Sequence, residues 1–217
     1  METLSKSELQ ELEKQLSCPS GDMGLEVGRR MHDSNINMTL NTLSEMQLAA
    51  GMKILEIGHG NSQHAHMALK EASNLHYCGL EISVTMHNEA IKINKELIGK
   101  GKASFHLYQG DKIPFKTNSF DRVFTVNTIY FWRNPTALLQ EIERVLKPGG
   151  QCLITYAQKD FMKKLPFVGH QFWLYDNEEV RKLVEGTDMN ISKIINITED
   201  TPAGGNRRYS IAKLIKS

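Results

Sequence analysis

The chain has 217 residues, of which 40% are hydrophobic and 24% charged, and these fractions exclude a disordered or fibrous protein. The length suits one large domain that needs neither a disulfide nor a metal to hold its core. Because 26 basic and 25 acidic residues leave a net charge of +1, we expect no nucleic acid partner.

The cysteines and the apolar stretches predict a cellular setting. The three cysteines are odd in number and far apart, so they fit neither a disulfide framework nor a zinc motif, and we expect a reducing, cytoplasmic environment. The N-terminal residues lack the apolar run of a secretory signal. The uncharged, apolar-rich stretches 123–132 and 165–175 reach only about half of the ~20 residues that span a bilayer, so we expect no membrane insertion.

Residues 1–50 are predicted to form a helical extension. Ser5 and Glu8 have the spacing of a capping box, and the leucines that follow recur at helical spacing. The sequence CPSGD at 18–22 ends this first helix. A second helix is predicted from about Asn37 to Leu48.

From Lys53 onward, short apolar runs alternate with helical stretches. Strands are predicted at 53–57, 77–82, 104–108, 122–128 and 151–157. A weak helix is predicted at 61–71, and stronger helices follow Ser83 and the N-cap sequence Asn134-Pro135. This alternation is typical of a doubly wound α/β fold with a parallel sheet, so we expect one domain over residues 51–217.

The last part of the chain departs from that alternation. Residues 159–175 contain five aromatic side chains in a pattern too irregular for one buried helix. A helix is then predicted at 177–184, followed by two strands, 191–197 and 209–215, around a turn at 202–205. Because residues 159–175 follow the fifth predicted strand, on the edge where such sheets bind ligands, we expect a substrate lid. The alternative is a loop whose aromatic side chains cap the core.

The first strand ends in the sequence EIGHGNS at residues 56–62. Glycine at positions 58 and 60 lets the backbone pass close to a ligand, and the next helix presents its N-terminus there. By itself this pattern also fits a tight strand-to-helix turn that only packs.

Two further acidic residues favour a cofactor site. Glu81 closes the second strand about twenty residues after the glycines, where a carboxylate can accept both hydroxyls of a ribose. Asp111 follows Gly110 just beyond the third strand, where it can accept a hydrogen bond from the adenine amine. Together with Glu56, these acids lie at one edge of the predicted sheet and indicate a nucleoside cofactor.

The identity of the cofactor follows from what the turn lacks. A dinucleotide would require G-x-G-x-x-G, but Gln63 holds the last position, and Glu56 would repel a pyrophosphate. S-adenosylmethionine has an ammonium, a sulfonium, a ribose and an adenine but no phosphate, so it matches the three acids. A nicotinamide-dependent oxidoreductase is the less favoured alternative.

Five motifs occur in order along residues 50–157: ILEIGHG at 54–60, GLEIS at 79–83, GD at 110–111, SFDRV at 119–123 and RVLKPGG at 144–150. In order and spacing they resemble the class I S-adenosylmethionine-dependent methyltransferases, and most nearly the small-molecule subgroup that includes the ubiquinone and menaquinone biosynthesis enzymes. The resemblance implies a Rossmann-like, seven-stranded sheet that is mostly parallel with an antiparallel last strand.

The resemblance also implies roles for individual residues. Those expected to bind the cofactor are Glu56, Gly58 and Gly60 at the methionine part, Glu81 and Ile82 at the ribose and adenine, Gly110 and Asp111 at the adenine, and Asn127 beside the sulfonium. The implied function is methyl transfer to a small-molecule acceptor. The alternative is a regulator or inactive homologue that binds S-adenosylmethionine, because binding motifs survive the loss of activity.

Other candidate functions find less support in the sequence. The sequence NTIY at 127–130 differs from the Asn/Asp-Pro-Pro-Tyr/Phe signature of enzymes that methylate nucleic-acid amines. His64 and His66 are two residues apart on a predicted helix and point in different directions, so no metal site is predicted. The segments expected to border the site contain four candidate bases, His32, Tyr130, His170 and Tyr175, and none is assigned a catalytic role.

Overall fold

The computed structural model describes residues 4–201 and 205–217. Its centre is a seven-stranded sheet with the strand order β3-β2-β1-β4-β5-β7-β6. The strands are β1 Lys53–Ile57, β2 His76–Glu81, β3 Ala103–Leu107, β4 Phe120–Val126, β5 Leu146–Ala157, β6 Met189–Asp200 and β7 Asn206–Lys216. The helices are α1 Lys6–Ser17, α2 Gly21–Glu45, α3 Ala65–Ala68, α4 Val84–Ile93, α5 Lys95–Gly99, α6 Pro135–Val145, α7 Lys159–Met162 and α8 Asn177–Val184, with a 3-10 turn at Ile129–Phe131.

Strands β1 to β5 pair in parallel, and β7 lies antiparallel between β5 and β6. The predicted sheet, mostly parallel with an antiparallel last strand, is therefore confirmed. The strand order reverses between β1 and β4, which are neighbours in the sheet although β2 and β3 separate them in the chain. In such sheets ligands bind beside the carboxyl ends of the strands at this reversal.

Local sequence explains where several helices begin. The capping box of Ser5 and Glu8 at the start of α1 is present as predicted. The Ser83 side chain accepts a hydrogen bond at the start of α4, and Asn134 does so at the start of α6, where Pro135 occupies the first turn. These caps fix the starts of α4 and α6, the helices that follow β2 and β4 in the chain.

Two helix predictions were wrong in extent. The predicted weak helix at 61–71 is helical only at Ala65–Ala68, and α2 begins at Gly21 rather than near Asn37. The first half of α2 contains Gly24 and Gly28, which lower helix propensity. Both glycines are close-contact positions: a Cβ at Gly24 would lie 2.7 Å from the Pro19 carbonyl carbon, and one at Gly28 would clash with Met86.

The second half of α2 belongs to the main core, because Met38, Leu43 and Met46 are buried in the same hydrophobic cluster as the strands. Of the predicted turn at 202–205, residues 202–204 lie outside the described residues. Among the residues that are described, no helix is both long and apolar enough to cross a bilayer.

Candidate cofactor-binding site

A cavity of about 820 Å³ extends along the carboxyl ends of β1 to β4. Helices α1 and α2 and the residues between Ala157 and Phe172 line its other sides. Seven of the eight predicted cofactor residues line this cavity: Glu56, Gly58, Gly60, Glu81, Ile82, Gly110 and Asn127. The eighth, Asp111, is exposed, does not line the cavity, and accepts a hydrogen bond from the Lys112 N–H at 2.6 Å.

The turn after β1 brings backbone, rather than side chains, to the cavity. Gly58 has φ +72° and Gly60 has φ +56°, a region that favours glycine. A Cβ at Gly58 would clash with the Thr128 side chain. The Gly60 N–H donates to Glu81 Oε2 at 2.9 Å, which ties the turn to the end of β2. The two glycines therefore form a turn at which a ligand can approach the backbone closely.

The Glu56 carboxylate is buried and is held through one of its two oxygens. His64 Nε2 lies 2.7 Å from Glu56 Oε2, and the Tyr77 hydroxyl donates to the same oxygen. Burial and the adjacent Glu56 charge raise the pKa of Tyr77 well above its usual value, so it remains a neutral donor. Within residues 4–201 and 205–217, no hydrogen bond reaches Glu56 Oε1. That oxygen can accept a bond from a cationic ligand.

Three backbone N–H groups fix the Glu81 carboxylate at the rim of β2. Oε1 accepts from Ile82 at 2.8 Å and from Ser83 at 3.0 Å, and Oε2 accepts from Gly60. Burial raises the pKa of Glu81, while the N–H donors act in the opposite direction. The two oxygens have about four lone pairs, of which these donors occupy three, so Oε2 can still accept one hydrogen bond from a ligand's hydroxyl group.

Apolar side chains beside Glu81 form an uncovered slot. Ile82 is 40% exposed, Val84 59% and Leu107 42%, and all three line the cavity. Gly110, with φ +87°, lies opposite, where a Cβ would meet Ile82 Cγ2 at 3.5 Å. Such a slot fits the flat, apolar faces of an adenine ring. Sequence reasoning found Ile82 and Gly110 but missed Val84 and Leu107, for which only their places beside the ends of β2 and β3 gave a signal.

Asn127 organises the end of β4 through its side chain. Its Oδ1 accepts from the Ala157 N–H at 3.1 Å and from the Tyr130 hydroxyl at 3.0 Å, and its Nδ2 donates to Asn35 Oδ1 at 3.1 Å. These bonds connect β4 to β5 and to α2. The side chain is therefore part of the framework of the cavity.

An aromatic wall closes the end of the cavity away from β2. The Phe131 and Phe172 ring centroids are 4.7 Å apart, and Tyr130 and Phe167 pack against Phe172 at 5.9 and 6.3 Å. This wall joins the 3-10 turn after β4 to the segment 159–175.

Helix α1 holds the segment 159–175 in place. Glu13 Oε1 accepts from the Gln171 N–H at 2.6 Å, and the Ser17 hydroxyl donates to the Gln171 side-chain oxygen at 3.0 Å. The segment therefore covers the cavity while fastened to the N-terminal helix.

The histidines near the site differ in environment. His32 stacks on His64 with ring centroids 5.8 Å apart, and burial lowers the pKa of His32. Burial lowers the pKa of His59 to about 4. Among the described residues, no group of three histidine, cysteine or acidic side chains is arranged to hold a metal ion.

Two of the four candidate bases line the cavity, His32 and Tyr130, whereas His170 and Tyr175 do not. Tyr130 is buried, and its one hydroxyl proton is shared between Asn127 Oδ1 and the Ala157 carbonyl oxygen, each 3.0 Å away; burial raises its pKa far above the usual value. Tyr130 is therefore unsuited to accept a proton near neutral pH.

Comparisons with known proteins agree with this architecture. The methyltransferase domain family matches residues 55–154. The uncharacterised methyltransferase YdaC of Bacillus subtilis is 31% identical over 128 residues, which are 57% of this chain and 67% of that protein. The phthiotriol/phenolphthiotriol dimycocerosates methyltransferase 1 of Mycobacterium ulcerans is 28% identical over 137 residues, 63% of this chain and 49% of that protein. The chain thus spans two thirds of one relative and about half of the other.

Solved structures show the same fold. A SAM-dependent methyltransferase from Aquifex aeolicus is 19% identical with a TM-score of 0.65, and the match covers 97% of this chain and 99% of that one. Phosphoethanolamine N-methyltransferase 2 of Haemonchus contortus, in complex with S-adenosyl-L-methionine, is 20% identical with a TM-score of 0.68 over 83% of this chain and 52% of that one. The chain therefore belongs to the class I methyltransferases, whose cofactor is S-adenosyl-L-methionine.

Proposed function

We propose that the chain is an active enzyme that transfers a methyl group from S-adenosylmethionine to a small-molecule acceptor with an apolar body. One observation carries the proposal: a single cavity is lined both by the polar ends of β1 and β2 and by the aromatic wall around Phe172. Its volume of about 820 Å³ lies in the upper part of the ~300–1,000 Å³ that is usual for ligand sites.

The residues at the polar end suit the parts of the cofactor. Glu56 Oε1 would accept from the ammonium group, and Gly58 and Gly60 would let the methionine part approach the backbone. Glu81 Oε2 would accept from a ribose hydroxyl, and the adenine would lie in the slot formed by Ile82 and its neighbours. The contact of Asp111 with the adenine and the position of Asn127 beside the sulfonium stay predictions.

The protein contributes to methyl transfer mainly by positioning the two reactants. S-adenosylmethionine supplies an activated methyl group, and correct orientation of two reactants is worth about 7–11 kcal/mol of the barrier. The aromatic wall and the segment 159–175, held by Glu13, exclude water from the acceptor. His32 lines the cavity with a lowered pKa, so its neutral imidazole is able to accept a proton from an acceptor that must lose one.

Three observations support a small acceptor in a soluble setting. The net charge of +1 gives no general attraction for nucleic acid phosphates. The cavity is concave and mostly apolar. The names of the Mycobacterium ulcerans and Haemonchus contortus relatives give acceptors that are not macromolecules, phthiotriol dimycocerosates and phosphoethanolamine. We further propose a cytoplasmic location, in keeping with three unpaired cysteines.

Two measurements test this proposal. Thermal unfolding with S-adenosylmethionine, S-adenosylhomocysteine, NAD or no ligand should show stabilisation by the first two alone, about 2.7 kcal/mol at 100 times the dissociation constant. Incubation with methyl-tritiated S-adenosylmethionine and fractionated small-molecule extracts should then transfer label to one fraction. Stabilisation by NAD alone would contradict the proposal. Cofactor binding without transfer of label would favour the alternative, a regulator or inactive homologue.

A further inference from the structure

The charges that line the cavity differ between its two ends. Both lining carboxylates, Glu56 and Glu81, lie at the ends of β1 and β2, where they would face the cationic and hydroxyl groups of the cofactor. The other three charged lining residues are all arginines: Arg30, Arg133 and Arg207.

Two of these arginines have a carboxylate partner within the protein. Arg30 Nε donates to Glu26 Oε1 at 2.7 Å, and Arg207 Nε donates to Glu199 Oε1 at 2.7 Å. Across the described ranges 4–201 and 205–217, the Arg133 guanidinium has neither an ion pair nor a hydrogen-bond acceptor. Arg133 is exposed and lines the cavity, so its guanidinium is available to an anionic ligand.

Arg133 lies beside the aromatic wall. It follows the 3-10 turn Ile129–Phe131, and the Phe131 ring packs on Phe172. The segment 159–175 has two exposed lysines, Lys163 and Lys164. Its single acidic residue, Asp160, forms an ion pair with Arg208. The two lysines do not line the cavity, so its acceptor end combines an apolar surface with one positive charge that has no partner among the described residues, that of Arg133.

We propose that the acceptor is an anionic compound with an aromatic or apolar body, whose carboxylate or phosphate binds Arg133 while its body packs against Phe131 and Phe172. This inference rests on the proposed function and names its substrate class. The planar guanidinium matches both head groups because it offers two parallel N–H donors. A neutral analogue would lack this ion pair and should bind more weakly than the anion.

Calorimetric titration of the complex with S-adenosylhomocysteine tests the inference. The probes are 2-naphthoate, 2-naphthyl phosphate and the neutral 2-naphthamide. We expect at least one anion to bind tenfold more tightly than the amide, and the better anion identifies the head group. Arg133→Gln should bring the ratio of anion to amide affinity to within twofold of one, and Arg133→Lys should keep part of it.

Arg29→Gln is the matched control, because Arg29 is an exposed arginine of α2 that does not line the cavity. It should leave the affinities of all three probes unchanged. Equal binding of amide and anions, or no binding of any probe, would overturn the inference. So would an Arg133→Gln variant that binds S-adenosylhomocysteine more weakly, because Arg133 would then serve the carboxylate of the cofactor. If the unchanged protein fails to bind S-adenosylhomocysteine, the proposed function itself is wrong.

Discussion

His64 Nε2 lies 2.7 Å from Glu56 Oε2, and both side chains are buried at the end of β1. Together with the Tyr77 hydroxyl, His64 occupies one carboxylate oxygen and leaves Oε1 for a ligand. A buried carboxylate is costly unless it is hydrogen-bonded, so these two donors allow a negative charge to persist beneath the cavity. This charge would complement the ammonium group of the cofactor, which we propose that Glu56 binds.

Replacing Glu56 with Gln should weaken S-adenosylmethionine binding roughly tenfold to a hundredfold. The substitution keeps the size of the side chain but removes the charge, and a hydrogen bond to a charged group is worth about 1.5–3 kcal/mol. Calorimetric titration with S-adenosylmethionine measures the effect. Glu71→Gln, at an exposed position, is the control and should bind as the unchanged protein does. Equal affinity in the two variants would remove Glu56 from the site.

Glu81→Gln should also reduce the affinity roughly tenfold to a hundredfold, for a different reason. The ribose hydroxyls would lose a charged acceptor, at about 1.5–3 kcal/mol. Adenosine competes for the ribose and adenine subsites alone, so its inhibition of S-adenosylmethionine binding should weaken in this variant but persist in Glu56→Gln. A Glu81→Gln variant with unchanged adenosine affinity would contradict the ribose role.

Gly58→Ala should abolish cofactor binding and destabilise the protein. Gly58 has φ +72°, where any residue with a Cβ is strained by about 1–2 kcal/mol, and the new methyl group would also clash with Thr128. Gly51→Ala separates the two effects, because Gly51 has φ +78° but open space within 4 Å. Urea unfolding and titration with S-adenosylmethionine should show that the Gly51 variant loses stability through strain but keeps its affinity for the cofactor. A Gly58 variant that behaves like the Gly51 variant would show that close approach is unnecessary.

The protein should lose stability as the pH falls from 6.5 toward 4, partly through His59. Burial lowers the His59 pKa from 6.5 to about 4, so in this range the unfolded chain takes up a proton that the folded protein does not. The contribution is fully present above pH 6.5 and falls by about 1.4 kcal/mol per pH unit below it. Urea unfolding at pH 7.5 and 5.0 measures the loss.

His59→Ala is the matching variant for that measurement. It should be less stable than the unchanged protein at pH 7.5, because the His59 ring packs against Phe105 with centroids 5.0 Å apart. Its stability should fall less between pH 7.5 and 5.0. Burial also lowers the pKa values of His87 and His106, so some pH dependence persists in the variant. An identical fall in both proteins would assign the whole effect to other groups.

The strands were predictable from sequence to within three residues at each end except β5, which begins at Leu146 rather than 151, and the length of α2 was not predictable. Strand β1 is a short, mostly apolar run closed by Gly58, and its predicted bounds, 53–57, match the structure. The first half of α2 faces helix α4 and the cavity, so glycines and polar side chains replace the apolar stripe that indicates a helix. Tertiary contacts determine where α2 begins, and the periodicity of the local sequence does not reveal such contacts.

Some residues of the candidate site were also predictable from sequence, and others were not. Glu56 and Glu81 were found because parallel strands end at one edge of the sheet, so the topology alone brings them together. The donors that hold Glu56, His64 and Tyr77, come from other parts of the chain, and no spacing rule relates them to it. Asp111 was placed by the same edge rule, but a loop residue beyond a strand end can turn either way, and its carboxylate bonds to its own neighbour.

Phe172→Ala should lower methyl transfer steeply while leaving S-adenosylmethionine affinity within a few-fold. Phe172 is the centre of the aromatic wall, with Tyr130, Phe131 and Phe167 around it. Trp173→Ala is the control: Trp173 is 66% exposed and does not line the cavity, so its loss should leave transfer nearly unchanged. The assay follows tritiated methyl groups into the acceptor fraction. If Phe172→Ala unfolds or loses the cofactor outright, the segment 159–175 serves the core, and its role as a substrate lid is wrong.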